Sequence, residues 1–128
     1  MSGERDLDVI LEELEVDRRP GAFAYILAIT GGAPPPELFA MIDEGATTAY
    51  VVDADSPLGR EASFRAAWLT LTVHSALEAV GLTAAVSTAL AAADIPANML
   101  AGFYHDHILV PEERADEAIA VVRSLRRR

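Results

Sequence analysis

The stretch Phe64-Arg65-Ala66-Ala67-Trp68-Leu69-Thr70-Leu71-Thr72-Val73-His74 alternates, with Ala67, Leu69, Leu71 and Val73 on one side and Trp68, Thr70, Thr72 and His74 on the other. A period of two is that of a β-strand that packs one face on a core, so residues 64–74 read as a strand. Downstream, Leu82, Val86, Ala89, Leu90 and Ala93 trace a helical stripe that ends at Asp94-Ile95-Pro96, because a proline pushes its predecessor out of helical geometry. Residues 99–104 and 107–110 then flank a polar turn at His105-Asp106, which reads as a hairpin. The segment 111–128 opens with Glu112, Glu113, Asp116 and Glu117 and closes with Arg123, Arg126, Arg127 and Arg128, matching a helix dipole at both ends. Its apolar stripe is Ala115, Ala118, Ile119, Val122 and Leu125. Strand, helix, strand, strand, helix is an α+β order, that of a ferredoxin-like βαββαβ unit without its last strand. A vacant sheet edge is a liability, so strands from the first half are expected to extend the same sheet or to build a second, incomplete one.

Working back from that stretch, residues 53–63 are polar and aperiodic and read as a link. They divide the chain into two halves, residues 1–60 and 61–128. In the first half, Leu7, Ile10, Leu11 and Leu14 mark a short amphipathic helix that stops before Arg18-Arg19-Pro20-Gly21. Residues 23–30 read as a strand closed by Gly31-Gly32 and Pro34-Pro35-Pro36. Pro36 suits the first turn of a short helix over residues 37–42, and residues 47–53 read as a second strand.

Composition excludes much. At 128 residues and 52% apolar, the chain can bury one respectable core and roughly two thirds of its unfolded surface. A net charge of −10 repels nucleic-acid phosphates and anionic membranes, so neither is an expected partner. All 10 basic residues are arginine and cysteine is absent, which removes Schiff-base lysines, thiol nucleophiles and cysteine-bound metals. The lack of cysteine, an acidic N-terminal segment and no apolar run of the ~20 residues a membrane span requires point to the cytoplasm.

The first stretch that could carry chemistry is residues 74–83, from His74 to Thr83, where a strand runs into a helix. Free backbone N–H groups at the helix start can receive a carboxylate, and Gly81 permits close approach of a ligand or of another backbone. Glu78 could neutralise a cationic group of the same ligand; alternatively it only favours the helix dipole and Gly81 only packs. The second stretch, Tyr104-His105-Asp106-His107, raises a metal site with His74. A tight turn there would break the shared face of His105 and His107, no fourth strong ligand is identifiable, and Ser75 lies in no nucleophile elbow. No metal, no cofactor and no catalytic residue are therefore assigned. The face bearing Trp68 either pairs with a second copy or is covered by the first half of the chain.

Two runs, Leu71-Thr72-Val73-His74-Ser75-Ala76-Leu77-Glu78-Ala79-Val80-Gly81-Leu82-Thr83-Ala84-Ala85-Val86 and Gly102-Phe103-Tyr104-His105-Asp106-His107-Ile108-Leu109-Val110-Pro111, resemble a family of small ACT-domain proteins. The resemblance covers residues 64–125, while the first half matches only in layout, as a degenerate ACT-like half. It departs from the family pattern at Ala76, commonly a second serine, and at residues 94–97, commonly a Gly-Ile-Ser-Cys run. The resemblance implies a ferredoxin-like ACT fold that pairs side by side and binds a small molecule, such as an amino acid, at the first strand-helix loop. Carried onto this sequence, that loop contributes His74, Ser75, Leu77, Glu78, Val80, Gly81, Leu82 and Thr83. The chain also looks like the ACT modules of the cellular arginine sensor, in which an acid after the tyrosine-bearing strand contacts ligand; the matching position is Asp106, beside Tyr104 and His105. The function expected is a non-catalytic, homodimeric, amino-acid-binding regulatory module. Its alternative is a pairing module that acts on a partner enzyme with no ligand of its own.

Overall fold

The computed structural model describes residues 6–29, 32–73 and 80–126. Among the described residues three α-helices, α1 (Leu7–Glu13), α2 (Leu82–Ala92) and α3 (Ala115–Arg123), accompany six strands. The strands are β1 (Val16–Ile29), β2 (Ala40–Asp43), β3 (Thr47–Asp53), β4 (Arg65–Leu71), β5 (Asn98–Ala101) and β6 (Asp106–Pro111), hydrogen-bonded in the order β2-β3-β1-β4-β6-β5. The α+β, ferredoxin-like expectation holds, and the vacant edge is filled by extending the same sheet. Two compact units result, residues 1–19 with 67–128 and residues 20–66.

In the larger unit, β4, α2, β5, β6 and α3 follow the βαββα order, and the missing strand comes from upstream. Residues 16–19 of β1 lie beside β4, and the Thr72 N–H donates to the Glu15 carbonyl at 3.0 Å. The alternation of β4 is realised: Ala67, Leu69 and Leu71 are fully buried in a core with Ile10, Leu14, Val86, Leu90, Ile108 and Val122. α2 ends as its sequence suggests. Asp94 takes a left-handed backbone (φ 59), the Ile95 N–H reaches the Leu90 carbonyl and the Asp94 N–H the Ala91 carbonyl, each at 2.9 Å. This is the Schellman arrangement, with Asp where glycine is favoured. The Arg114 guanidinium closes it, donating to the Asp94 and Ala93 carbonyls at 3.1 Å each.

In the smaller unit, β1 pairs antiparallel with β3 (Tyr25 opposite Val51), and β2 pairs antiparallel with β3 (Ile42 opposite Ala49). Three expectations are corrected here and in the hairpin. First, β1 does not begin at Phe23 but at Val16, running through Pro20 and Gly21; Gly21, at φ 97 with nothing near its missing Cβ, takes a backbone most residues refuse. Second, residues 37–42 form no helix. Residues 40–43 are a strand, because the Asp43 carboxylate accepts the Gly45 N–H at 2.9 Å and the Glu44 N–H bonds the Thr47 carbonyl, making a hairpin turn that gives the segment a ladder partner. Third, the β5–β6 turn lies at residues 102–105, with the Gly102 N–H donating to the His105 carbonyl at 2.9 Å, so Asp106 begins a strand instead of forming the turn.

Candidate functional site

His74, Ser75, Leu77 and Glu78 lie outside the described residues; Val80, Gly81, Leu82, Thr83, Tyr104, His105 and Asp106 lie within them. Gly81 is the N-cap residue of α2, at φ 108 and ψ −24, and among the described residues no N-cap side chain bonds the first turn. Gly81 itself thus sets no side chain against an incoming carboxylate at the helix start. The open side of Gly81 is filled: a Cβ there would lie 2.8 Å from Cδ2 of Leu7 in α1. Its freedom serves packing against α1 as well as the turn. Leu82 is buried in the core, Thr83 is exposed, and Val80 is 82% exposed. Leu82 can therefore offer a ligand its backbone but not its side chain.

The β5–β6 turn stands at the end of the sheet where β4 leaves it. β4 ends at Leu71 and β6 begins at Asp106, and Nδ1 of His107 sits 2.9 Å from Thr70 Oγ1. Phe103 and Tyr104 project from the turn, 70% and 57% exposed, their rings edge to face at 4.8 Å. Gly102 makes the turn tight, since a Cβ there would meet the His105 carbonyl oxygen at 2.7 Å. Asp106 is half-buried, and among the described residues its carboxylate has no hydrogen-bond partner. Burial lifts its pKa above the ordinary carboxylate range, with the charges of His107 and His105 opposing. A half-buried carboxylate without a hydrogen-bond partner can accept a cationic group.

His107 is employed otherwise. The Trp68 indole N–H donates to its Nδ1 at 3.2 Å, so that nitrogen carries the lone pair and the neutral ring carries its proton on Nε2. Burial, then Arg19 and His105, push His107 below its ordinary value, and Asp106 only partly compensates. Trp68 is 5% exposed and lies under the Arg19 guanidinium, 4.7 Å from the ring centroid. From the chain's first half, Arg19 lies over the Trp68 ring. The grouping of Arg19, Trp68, Thr70 and His107 was not foreseen; the alternation of Trp68 with Thr70 was its only signal. Among the described residues no group of three or more His, Cys, Asp or Glu side chains gathers as a metal site.

Comparison with known proteins adds the following. The family profile described as ACT domain matches residues 63–124. A protein of unknown function from Vibrio cholerae, described as a possible transport protein, is 32% identical, with 94% of this chain and 96% of that one covered and a TM-score of 0.81. A protein from Agrobacterium tumefaciens aligns at 13% identity over 88% of each chain, with a TM-score of 0.66. The aspartokinase alpha and beta subunits align at 12% identity over 87% of this chain and 96% of that one, with a TM-score of 0.62. These last two share the fold. No curated protein sequence matches the chain.

Proposed function

Residues 63–124 carry an ACT domain, and from that premise we propose that the chain is a non-catalytic regulatory module that binds a small zwitterion, an amino acid, at the sheet end where β4 runs toward α2 and β6 begins. The observation that carries the proposal is Asp106. Its carboxylate is half-buried, unmatched by any hydrogen bond among the described residues, and raised in pKa by that burial. A ligand ammonium or guanidinium supplies the missing charge. The first turn of α2, whose N-cap is Gly81, suits the ligand carboxylate, with Gly81, Thr83 and Tyr104 as candidate contacts; Ser75 and Glu78, outside the described residues, complete the set of candidates. Within this proposal the protein is cytoplasmic and homodimeric, and residues 1–60 act as a degenerate companion to the ACT domain of residues 61–128.

The test is a thermal-shift screen of untagged protein against the twenty amino acids. Anything that binds only the folded state raises its stability, by about 2.7 kcal/mol at a hundredfold excess over Kd. A selective shift that is lost in Asp106→Asn supports the proposal, and a flat panel refutes it. The second reading, a pairing module without ligand, is favoured by the exposed Phe103–Tyr104 pair. A dimer in sedimentation that dissociates in Phe103→Ser and ignores every amino acid would establish it instead.

A further inference from the structure

The smaller unit holds a half-open groove of about 440 Å³, inside the range of about 300–1,000 Å³ typical of small-molecule sites. Its lining is largely apolar: Pro35, Pro36, Val52, Pro57 and Leu58. Set into this apolar lining are two carboxylates, Glu37 and Asp53. Among the described residues Glu37 makes no hydrogen bond or ion pair, and Asp53 accepts only the Asp55 N–H, at 2.9 Å, through one of its two oxygens. Two arginines bond Asp55 instead. Arg65 grips its carboxylate at 2.7 and 3.2 Å, and the Arg60 Nε–H donates to its carbonyl at 3.0 Å.

The groove is also stiff. Pro35, Pro36 and Pro57 line it, and the Ser56 hydroxyl both donates to the Asp53 carbonyl at 2.6 Å and accepts the Gly59 N–H at 3.1 Å, tying the loop after β3 to itself. A Cβ on Gly59 would overlap the Asp53 carbonyl and lie 2.9 Å from Ala54 Cα, so only glycine closes the loop this tightly. A preformed apolar trough whose net charge is uncompensated selects a ligand with the opposite charge at one end and a hydrocarbon body, because each part then leaves water for a matching surface.

We propose that this groove is a second ligand site, distinct from the sheet-end site of the larger unit, and that it takes a small organic cation: a protonated primary amine on an aliphatic or aromatic body. The test is a titration of ¹⁵N-labelled full-length protein, read by amide shifts, with 2-phenylethylamine and with its neutral counterpart 2-phenylethanol as probes. The amine moves the amides of residues 37 and 52–58 saturably, the alcohol binds at least tenfold more weakly, and Glu37→Gln or Asp53→Asn each weakens the amine at least fivefold. Asparagine keeps the oxygen that accepts the Asp55 N–H, and Glu37 is exposed and unbonded, so both variants preserve the loop. Equal binding of amine and alcohol, unchanged binding in Glu37→Gln, or amine shifts confined to residues 80–107 would each overturn the proposal. The last of these would leave the amino-acid site standing.

Discussion

Gly81→Ala separates the two services that Gly81 performs at the start of α2. At φ 108 and ψ −24 the backbone lies where a side-chain-bearing residue is strained, which costs about 1–3 kcal/mol. Alanine recovers roughly 0.5–1 kcal/mol of that by restricting the unfolded chain. The added methyl would meet Leu7 Cδ2 at 2.8 Å, a contact that costs on the order of 1 kcal/mol more because Leu7 is packed against the core. The sum is a destabilisation of about 2–3 kcal/mol, read as the shift in urea midpoint at constant m-value. A double-mutant cycle with Leu7→Ala divides it: removing Leu7 should return about 1 kcal/mol of the Gly81→Ala penalty and leave the backbone part in place. A Gly81→Ala variant within about 0.5 kcal/mol of the parent would refute the strain argument. A penalty indifferent to Leu7→Ala would refute the packing argument.

Three further outcomes are expected. Asp94→Gly should stabilise the protein by about 0.5 kcal/mol in urea unfolding, since the residue after α2 is left-handed, while Asp94→Ala should destabilise it by about 1 kcal/mol. His107 is held below its ordinary 6.5, so the folded protein refuses a proton that the unfolded chain accepts; its contribution is intact above pH 6.5 and is lost as pH falls toward the folded value. The loss of stability as pH falls below about 6.5 should therefore be shallower in His107→Gln, by Trp68 fluorescence in urea, and identical slopes would count against it. Asp106 has the opposite sign: its pKa is raised by burial, so the ionised form is a burden to the fold once pH exceeds both its values. Asp106→Asn should raise the urea midpoint at pH 7 without ligand, and that advantage should vanish near pH 3.

Elements whose neighbours in sequence decide them were legible. The apolar stripe of α2, the alternation of β4 and the charge asymmetry of α3 each gave an element within a few residues of its bounds. Elements decided by partners far along the chain were not. Pro20-Gly21 reads as a stop, yet β1 continues through it, flanked by β4 before the pair and by β3 after it. Met41 and Ile42 fit a helix or a strand, and only the Asp43–Gly45 turn with β3 beyond it chooses. The same holds for the site. Tyr104 and Asp106 were named through the family resemblance, whereas the bond from Trp68 to His107 spans 39 residues and has no local trace.

The strand that completes the larger unit is made before the rest of that unit: residues 16–19 must wait for the whole smaller unit to be synthesised before β4 exists to receive them. Closing so long a loop is entropically slow, so the unit forms late and its nucleus is of high contact order. A fragment cut at residue 61 would carry nearly all of the recognisable ACT sequence and still leave β4 with a bare edge and the core without Ile10, Leu14 and Val16. Such a fragment is expected to aggregate through that edge, and adding residues 6–19 as a separate peptide should rescue it in the manner of strand complementation.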